Sequence, residues 1–193
     1  MTEAAGAAEA LPRGVRLGVD VGTVRVGLAV SDPDGMIATP VETLARGRVG
    51  RGEDGPPSDL RRIAAEVSER GAGVVYVGLP RHLSGAEGAA AASVRAYAGD
   101  LARFVVPVPV MLVDERMSTV TAHQALHASG RAGRRHRAVV DQVAAVVILQ
   151  SALEAERAGG KRAGERVAAS ERRPGSGTVV DDVVGTRRDG DDE

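Results

Sequence analysis

The sequence predicts a mixed α/β fold, one sheet with helices on its faces. Three observations carry that expectation. The first third of the chain holds three strand-like runs joined by tight turns. The middle holds two continuous apolar runs, Val74–Leu79 and Val108–Val113, which read as buried parallel strands. Apolar residues make up 43% of the 193 positions but aromatics only 2%. The core must therefore be Val, Leu, Ile and Ala, the composition of a sheet under Ala-rich helices.

The elements follow in order. Residues 1–14 are small and polar and read as a disordered leader. Val15–Val21 and Arg25–Ser31 are strands separated by a Gly-rich turn at Gly22 and Thr23. Asp32-Pro33-Asp34-Gly35 places Pro and Gly where a hairpin turn uses them. Met36–Leu44 is a third strand, and Pro40 marks it as an edge strand. A Gly/Pro/Arg loop over 45–57 leads to a helix capped by Ser58 or Asp59. That helix carries Leu60, Ile63, Ala64 and Val67 on one face and ends at Gly71 and Gly73. The strand Val74–Leu79, an Ala-rich helix from Ala86 to Phe104 and the strand Val108–Val113 come next. A short helix over 119–128, a basic loop over 130–137 and a last helix from Val139 to Glu156 complete the expected domain, 15–157. Residues 158–193 are rich in Gly, Arg, Glu and Asp and read as a disordered tail.

Composition excludes several functions. There is no cysteine, so disulfides, thiolate metal sites and cysteine nucleophiles are ruled out, and a reducing compartment such as the cytoplasm suits the chain. The N-terminus lacks the basic start and apolar run of a secretory signal, and no apolar run is long enough to span a bilayer. The formal net charge is -1, so any nucleic-acid binding must come from local charge. His82, His123, His127 and His136 lack zinc-ligand spacing.

Acidic residues stand where apolar ones are expected. Asp20 sits among valines in the first strand. Asp114 and Glu115 end a buried strand. Asp141 shares a helical face with Ala144, Ala145 and Ile148. Each has an ordinary explanation: Asp20 as a turn acceptor, Asp141 as a first-turn acid favoured by the helix dipole. Together they suggest convergence at the C-terminal end of the sheet, where open α/β sheets place their sites. Carboxylates crowded in this way repel one another, and an oxygen-preferring divalent cation, Mg²⁺ or Mn²⁺, relieves the repulsion. Arg131, Arg134, Arg135, His136 and Arg137 cluster just before Asp141. They form either a solvated surface or a phosphate-backbone contact. Arg25 and Arg116, beside the acidic positions, could pair with phosphate or with the carboxylates.

Five segments, GVDVGTVRVGLAVSD, ATPVETL, VGLPRHLSG, VDERMST and VVDQVAAVVIL, occur in this order between Arg16 and Glu156. Together they resemble the YqgF/RuvX family, described as Holliday junction resolvases and as pre-16S rRNA nucleases. The resemblance implies an RNase H-like fold with a five-stranded mixed sheet. It implies metal-dependent cleavage of phosphodiester bonds by Asp20, Glu115 and Asp141, with the adjacent Asp114 as the alternative ligand at that position, and it matches Arg25 and Arg116 to motif arginines. The implied substrates are pre-16S rRNA, reached alone or within pre-ribosomal particles, or branched DNA. A junction resolvase would work as a homodimer, an RNA-processing enzyme as a monomer or dimer.

Two other functions compete. A non-catalytic nucleic-acid-binding protein of the same fold would gain by losing carboxylates that repel the backbone. An ATP-binding protein of the actin and sugar-kinase type would share the Asp-x-Gly-Thr run, but it would need a second copy of the domain that this chain is too short to hold.

Overall fold

The computed structural model describes residues 11–47, 56–82, 84–115 and 134–168, with the backbone alone for 134–141. Among these, three strands open the chain: β1 (Arg16–Val21), β2 (Arg25–Ser31) and β3 (Ala38–Ala45). Helix α1 (Ser58–Arg70), β4 (Val74–Leu79), α2 (Ala89–Phe104) and β5 (Val110–Asp114) follow. Helix α3 (Arg134–Gly159) and a two-residue strand β6 (Glu165–Arg166) complete the described chain.

The strand order is β3-β2-β1-β4-β5-β6. β1, β2 and β3 form an antiparallel meander, while β4 pairs parallel with β1 and β5 parallel with β4. This is the mixed sheet the sequence predicts, in the RNase H-like arrangement that the resemblance implied. The apolar alternation explains the layering. Leu17, Val19, Val26, Leu28, Val75, Val77 and Leu112 face α1 and α2. Ala29, Val74, Tyr76, Met111 and Val113 face α3 through Ala145, Ile148, Leu149, Ala152 and Leu153. The sheet is therefore covered on both faces, as near-continuous apolar strands require.

Local chemistry sets the connections. In the β2–β3 turn the Asp32 carboxylate accepts from the backbone N–H groups of Asp34, Met36 and Ile37 at 2.7–2.9 Å. Those amides, Ile37 first, hold Asp32 below the usual carboxylate range. Pro40 lies on the outermost strand as expected. The register against β2 skips between Leu28, opposite Glu42, and Ala29, opposite Pro40, which leaves Val41 as the extra residue of a bulge. Gly71 closes α1 in the left-handed conformation.

Four expectations change. Neither Ser58 nor Asp59 caps α1; Pro57 precedes it without a side-chain cap. Asp59 is instead buried in the first turn, where its Oδ2 accepts the Tyr97 hydroxyl at 2.9 Å. The Ala-rich helix starts at Ala89 rather than Ala86. The last helix starts at Arg134, so Arg134, Arg135, His136 and Arg137 lie on its opening turn rather than in a loop. The sheet has six strands rather than five, because the chain past α3 turns back and pairs with β5. Residues 158–168 thus belong to the fold, although the sequence reading assigned them to the tail. The rest of the tail, the leader up to residue 10 and the expected helix over 119–128 lie outside the described residues.

The returning segment is held by specific contacts. The Ala163 N–H reaches the Tyr76 hydroxyl at 3.3 Å, and the Val167 N–H donates to the Val110 carbonyl at 2.9 Å. Gly164 has φ +80°, and a Cβ there would fall 2.0 Å from the Leu112 carbonyl oxygen. Only glycine fits that approach. On the solvent side Glu165 takes both Arg95 guanidinium nitrogens at 2.9 Å, and Arg95 also holds Glu87.

Candidate active site

The parallel register brings the predicted carboxylates to one end of the sheet. Val19 pairs with Val77, so Asp20 comes level with Gly78. Gly78 pairs with Val113, two residues before Glu115. Strand alternation puts Gly18 and Asp20 on one face, that of Tyr76, Gly78 and Val113, which α3 covers. Gly78 is the notch of this site. A Cβ there would lie 2.6 Å from the Glu115 Oε1 and 2.5 Å from Ile148. The Glu115 carboxylate thus uses space that any other residue at 78 would fill.

The same absence of a side chain seats α3. A Cβ at Gly18 would lie 2.6 Å from Leu149 Cβ and 3.0 Å from the Ala145 carbonyl oxygen. Helix and strand therefore meet almost backbone to backbone beneath the carboxylates. Position 141 is one helical turn before Ala145 on α3. The Asp141 side chain lies outside the described residues, as do those of Arg134, Arg135 and Arg137 and the whole of Arg116 and Arg131.

The electrostatics agree with this placement. Burial first, then the charges of Asp20 and Asp114, push the Glu115 carboxyl up to about 7. The charges of Asp20 and Asp114 therefore both bear on Glu115, and they add. Arg25 opens β2 at the same end, across the Gly22 turn from Asp20. Among the described residues, no three acidic or histidine side chains close on one metal position. The donor chemistry still suits a hard divalent cation: all the groups are carboxylates, and the Gly78 notch accommodates the Glu115 Oε1. From Asp114 and Glu115 a cleft of about 460 Å³ runs between β5, α3 and the returning segment, past Ile148, Ala152 and Lys161.

One participant at this end has no sequence signal. Arg46, in the Gly/Arg stretch after β3, donates from its NH1 to the Gly22 carbonyl at 2.8 Å, directly behind Asp20. Nothing periodic marks Arg46, and its partners are distant in the chain.

Comparison with known proteins decides the family. The sequence model of the RuvX family, described as Holliday junction resolvase, matches residues 14–155. The chain belongs to the RuvX family. Its relatives include proteins named "Putative pre-16S rRNA nuclease" from Nocardioides sp. and from Streptomyces avermitilis. The first is 56% identical over 156 residues, which are 80% of this chain and 96% of the relative. The second is 54% identical over 155 residues, covering 80% and 95%. Among solved structures, a T. thermophilus RuvC in complex with Holliday junction substrate aligns over 77% of this chain and 98% of its own, with TM-score 0.46 and 16% identity. That likeness is too distant to transfer a site or an activity. Family membership rests on the sequence match, and RuvX is a family of nucleases. No described helix of this RuvX chain is long and apolar enough to cross a membrane.

Proposed function

We propose that this chain is a cytoplasmic, metal-dependent nuclease that hydrolyses phosphodiester bonds and matures the 5′ end of pre-16S rRNA during ribosome biogenesis. The observation that carries the proposal is the convergence of the Asp20 and Asp114 charges on the buried Glu115 beside the Gly78 notch, with Glu115 pushed up to about 7. A fold that gained nothing from this cluster would have no reason to hold like charges together at a sheet end. That argues against a binding protein that merely retains the fold.

Asp20 and Glu115, with Asp141 from α3 and Asp114 beside them, would hold Mg²⁺ or Mn²⁺. Such ions supply activation of a water and stabilisation of the leaving oxygen in phosphodiester hydrolysis. The chain's own residues orient the reaction. The Asp20 backbone is held in the β1 ladder next to the Gly22 turn, and Glu115 follows the end of β5. Arg25, Arg116, Arg131, Arg134, Arg135 and Arg137 would hold the phosphate backbone without reading bases. The RNA role is favoured by relatives more than half identical over nearly their whole length that bear the pre-16S rRNA nuclease name. The second reading, resolution of four-way DNA junctions, follows the description of the family.

One experiment separates them. End-labelled pre-16S leader RNA and a four-way DNA junction are incubated side by side with the protein, with Mg²⁺, Mn²⁺ or chelator. Cation-dependent cutting of the RNA is the expected result. Symmetric cutting of the junction alone would make the protein a resolvase. Binding of both without cutting would return it to the class of binding proteins, or to enzymes that act only within a pre-ribosomal particle. Neutralising Arg134 and Arg135 should weaken RNA binding and lower its log–log salt slope by up to about 2; an unchanged slope removes them from the interface.

A further inference from the structure

We propose that Arg46 is a positioning residue, which fixes the turn between Asp20 and Arg25 and so sets where Asp20 presents its carboxylate. The inference rests on the reading of Asp20 as a metal-holding group.

The turn from Gly22 to Val24 has no regular ladder of its own. It is closed internally by the Gly22 N–H donating to the Arg25 carbonyl at 2.9 Å. Two further backbone bonds of the turn come from Arg46. The Arg46 N–H donates to the Val24 carbonyl at 2.8 Å, and the Arg46 NH1 donates to the Gly22 carbonyl at 2.8 Å. One residue therefore grips the turn from its main chain and its side chain together. Exposure makes this grip necessary, because Val24 is 71% exposed and adds nothing to the core.

Arg46 is itself anchored. Its NH2 donates to the Ser93 hydroxyl at 3.1 Å, and its guanidinium carbon lies 5.3 Å from the centre of the Tyr97 ring, both on α2. Stacking of a guanidinium on an aromatic face fixes its plane. The ring in turn is fixed by its hydroxyl, which donates to Asp59 on α1. Burial, together with the Asp59 charge, raises the Tyr97 hydroxyl far above its ordinary value, so it remains a donor throughout the working pH range. The chain of contacts runs Asp59, Tyr97, Arg46, Gly22. It ties a site loop on one strand to the two helices behind the sheet, elements that hold their positions through the core.

A loosened turn would let Asp20 and Arg25 shift, and misplacement by about 1 Å costs up to about 10²-fold in rate. The test compares wild type, Arg46→Ala, Arg46→Lys and Asp20→Asn by two readouts. One is calorimetric Mn²⁺ binding without substrate. The other is cleavage of the RNA leader at saturating Mn²⁺, resolved into kcat and KM. Arg46→Ala should weaken Mn²⁺ binding about tenfold, as loss of an outer support does. It should lower kcat by about 10- to 100-fold and leave KM within about twofold. Amide exchange should accelerate at Gly22–Arg25 alone. Arg46→Lys keeps one donor for Gly22, folds without losing the charge, and should fall between the two.

Wild-type Mn²⁺ affinity in both Arg46 variants would overturn the proposal. So would a raised KM with kcat and Mn²⁺ binding unchanged, which would make Arg46 a phosphate contact. If Asp20→Asn binds Mn²⁺ as wild type does, the metal reading of Asp20 fails and takes the proposal with it. If only the Arg46 variants behave as wild type, the Asp20 reading stands and the positioning role falls.

Discussion

The two ends of the central sheet both bury charge, and they treat it in opposite ways. At the end where β1 and β4 begin, Arg16 and Glu156 are 5% and 3% exposed. Arg16 Nε donates to Glu156 at 3.1 Å, Arg162 NH1 donates to it at 2.6 Å, and the Tyr76 hydroxyl completes the set. Burial alone would raise the Glu156 carboxyl; the hydrogen bonds from Tyr76 and Arg162 and the two positive charges outweigh it and hold the group down. At the other end, burial and like charges act on Glu115 in the same direction, and it rises to about 7. One end has settled its charge inside the chain. At the other, like charges add on one buried carboxyl, a pattern that clusters at functional sites.

The sharpest break of this comparison is Asp20→Asn. It should lower cation-dependent cleavage by at least about 10²-fold, the scale of removing one preorganised electrostatic group. The variant should stay folded, with a cooperative thermal transition in the absence of metal. Full cleavage would remove Asp20 from the site. Glu156→Ala should do the reverse. It leaves Arg16 buried without its partner and should cost about 3–5 kcal/mol in denaturant unfolding, with cleavage per folded molecule kept. A cost below about 1 kcal/mol would show that Arg16 finds water or another acceptor.

Acidity separates the ends next. Glu115 titrates near 7 when folded and at the ordinary 4.5 when unfolded, so the native chain holds the extra proton between these values. Its contribution is therefore lost as pH rises from about 4.5 to 7, and the metal-free chain should lose about 1–3 kcal/mol across that window. Glu156 has the opposite sign: its contribution is present above the unfolded value and is lost as pH falls through its lowered folded value. Glu115→Gln should flatten the upper slope and leave the acid limb intact, and unfolding curves collected across pH check both. The smallest effect is expected from Tyr76→Phe, about 1–2 kcal/mol, because Glu156 keeps both arginines and only the hydroxyl between Glu156 and Ala163 is lost.

The sequence made one end legible and hid the other. Asp20, Asp114 and Glu115 stood out because an acid inside or at the end of an apolar run breaks a local pattern. The five main strands showed themselves through alternation or continuous Val and Leu. The Arg16–Glu156 pair spans 140 positions, and nothing within a helical or strand period connects its members. Glu156 sits near the end of a helix, where an acid reads as solvated surface. The sixth strand was hidden for a related reason. Glu165 and Arg166 have no strand composition, and only the β5 edge and the Arg95 contacts make them one. The cap expected at Ser58 or Asp59 failed for a similar reason: helix entry chemistry favours both residues, but Pro57 holds the cap position and the Asp59 carboxylate turns inward to the Tyr97 hydroxyl on α2, a partner no local pattern marks.

The outer strands of the sheet have one more consequence, for crowding of the chain with its own copies. An unpaired strand is a template onto which another chain can add, and β-rich proteins guard against it. Here the two borders are guarded by unlike devices. On one, Pro40 removes a donor and the bulge at Val41 breaks the ladder's spacing. On the other, β5 is shielded by a partner only two residues long, pinned in place by Arg95 and Arg162. Neither border offers a flat row of amides and carbonyls. Among the described residues, both borders of the sheet thus guard against growth into strand-linked assemblies.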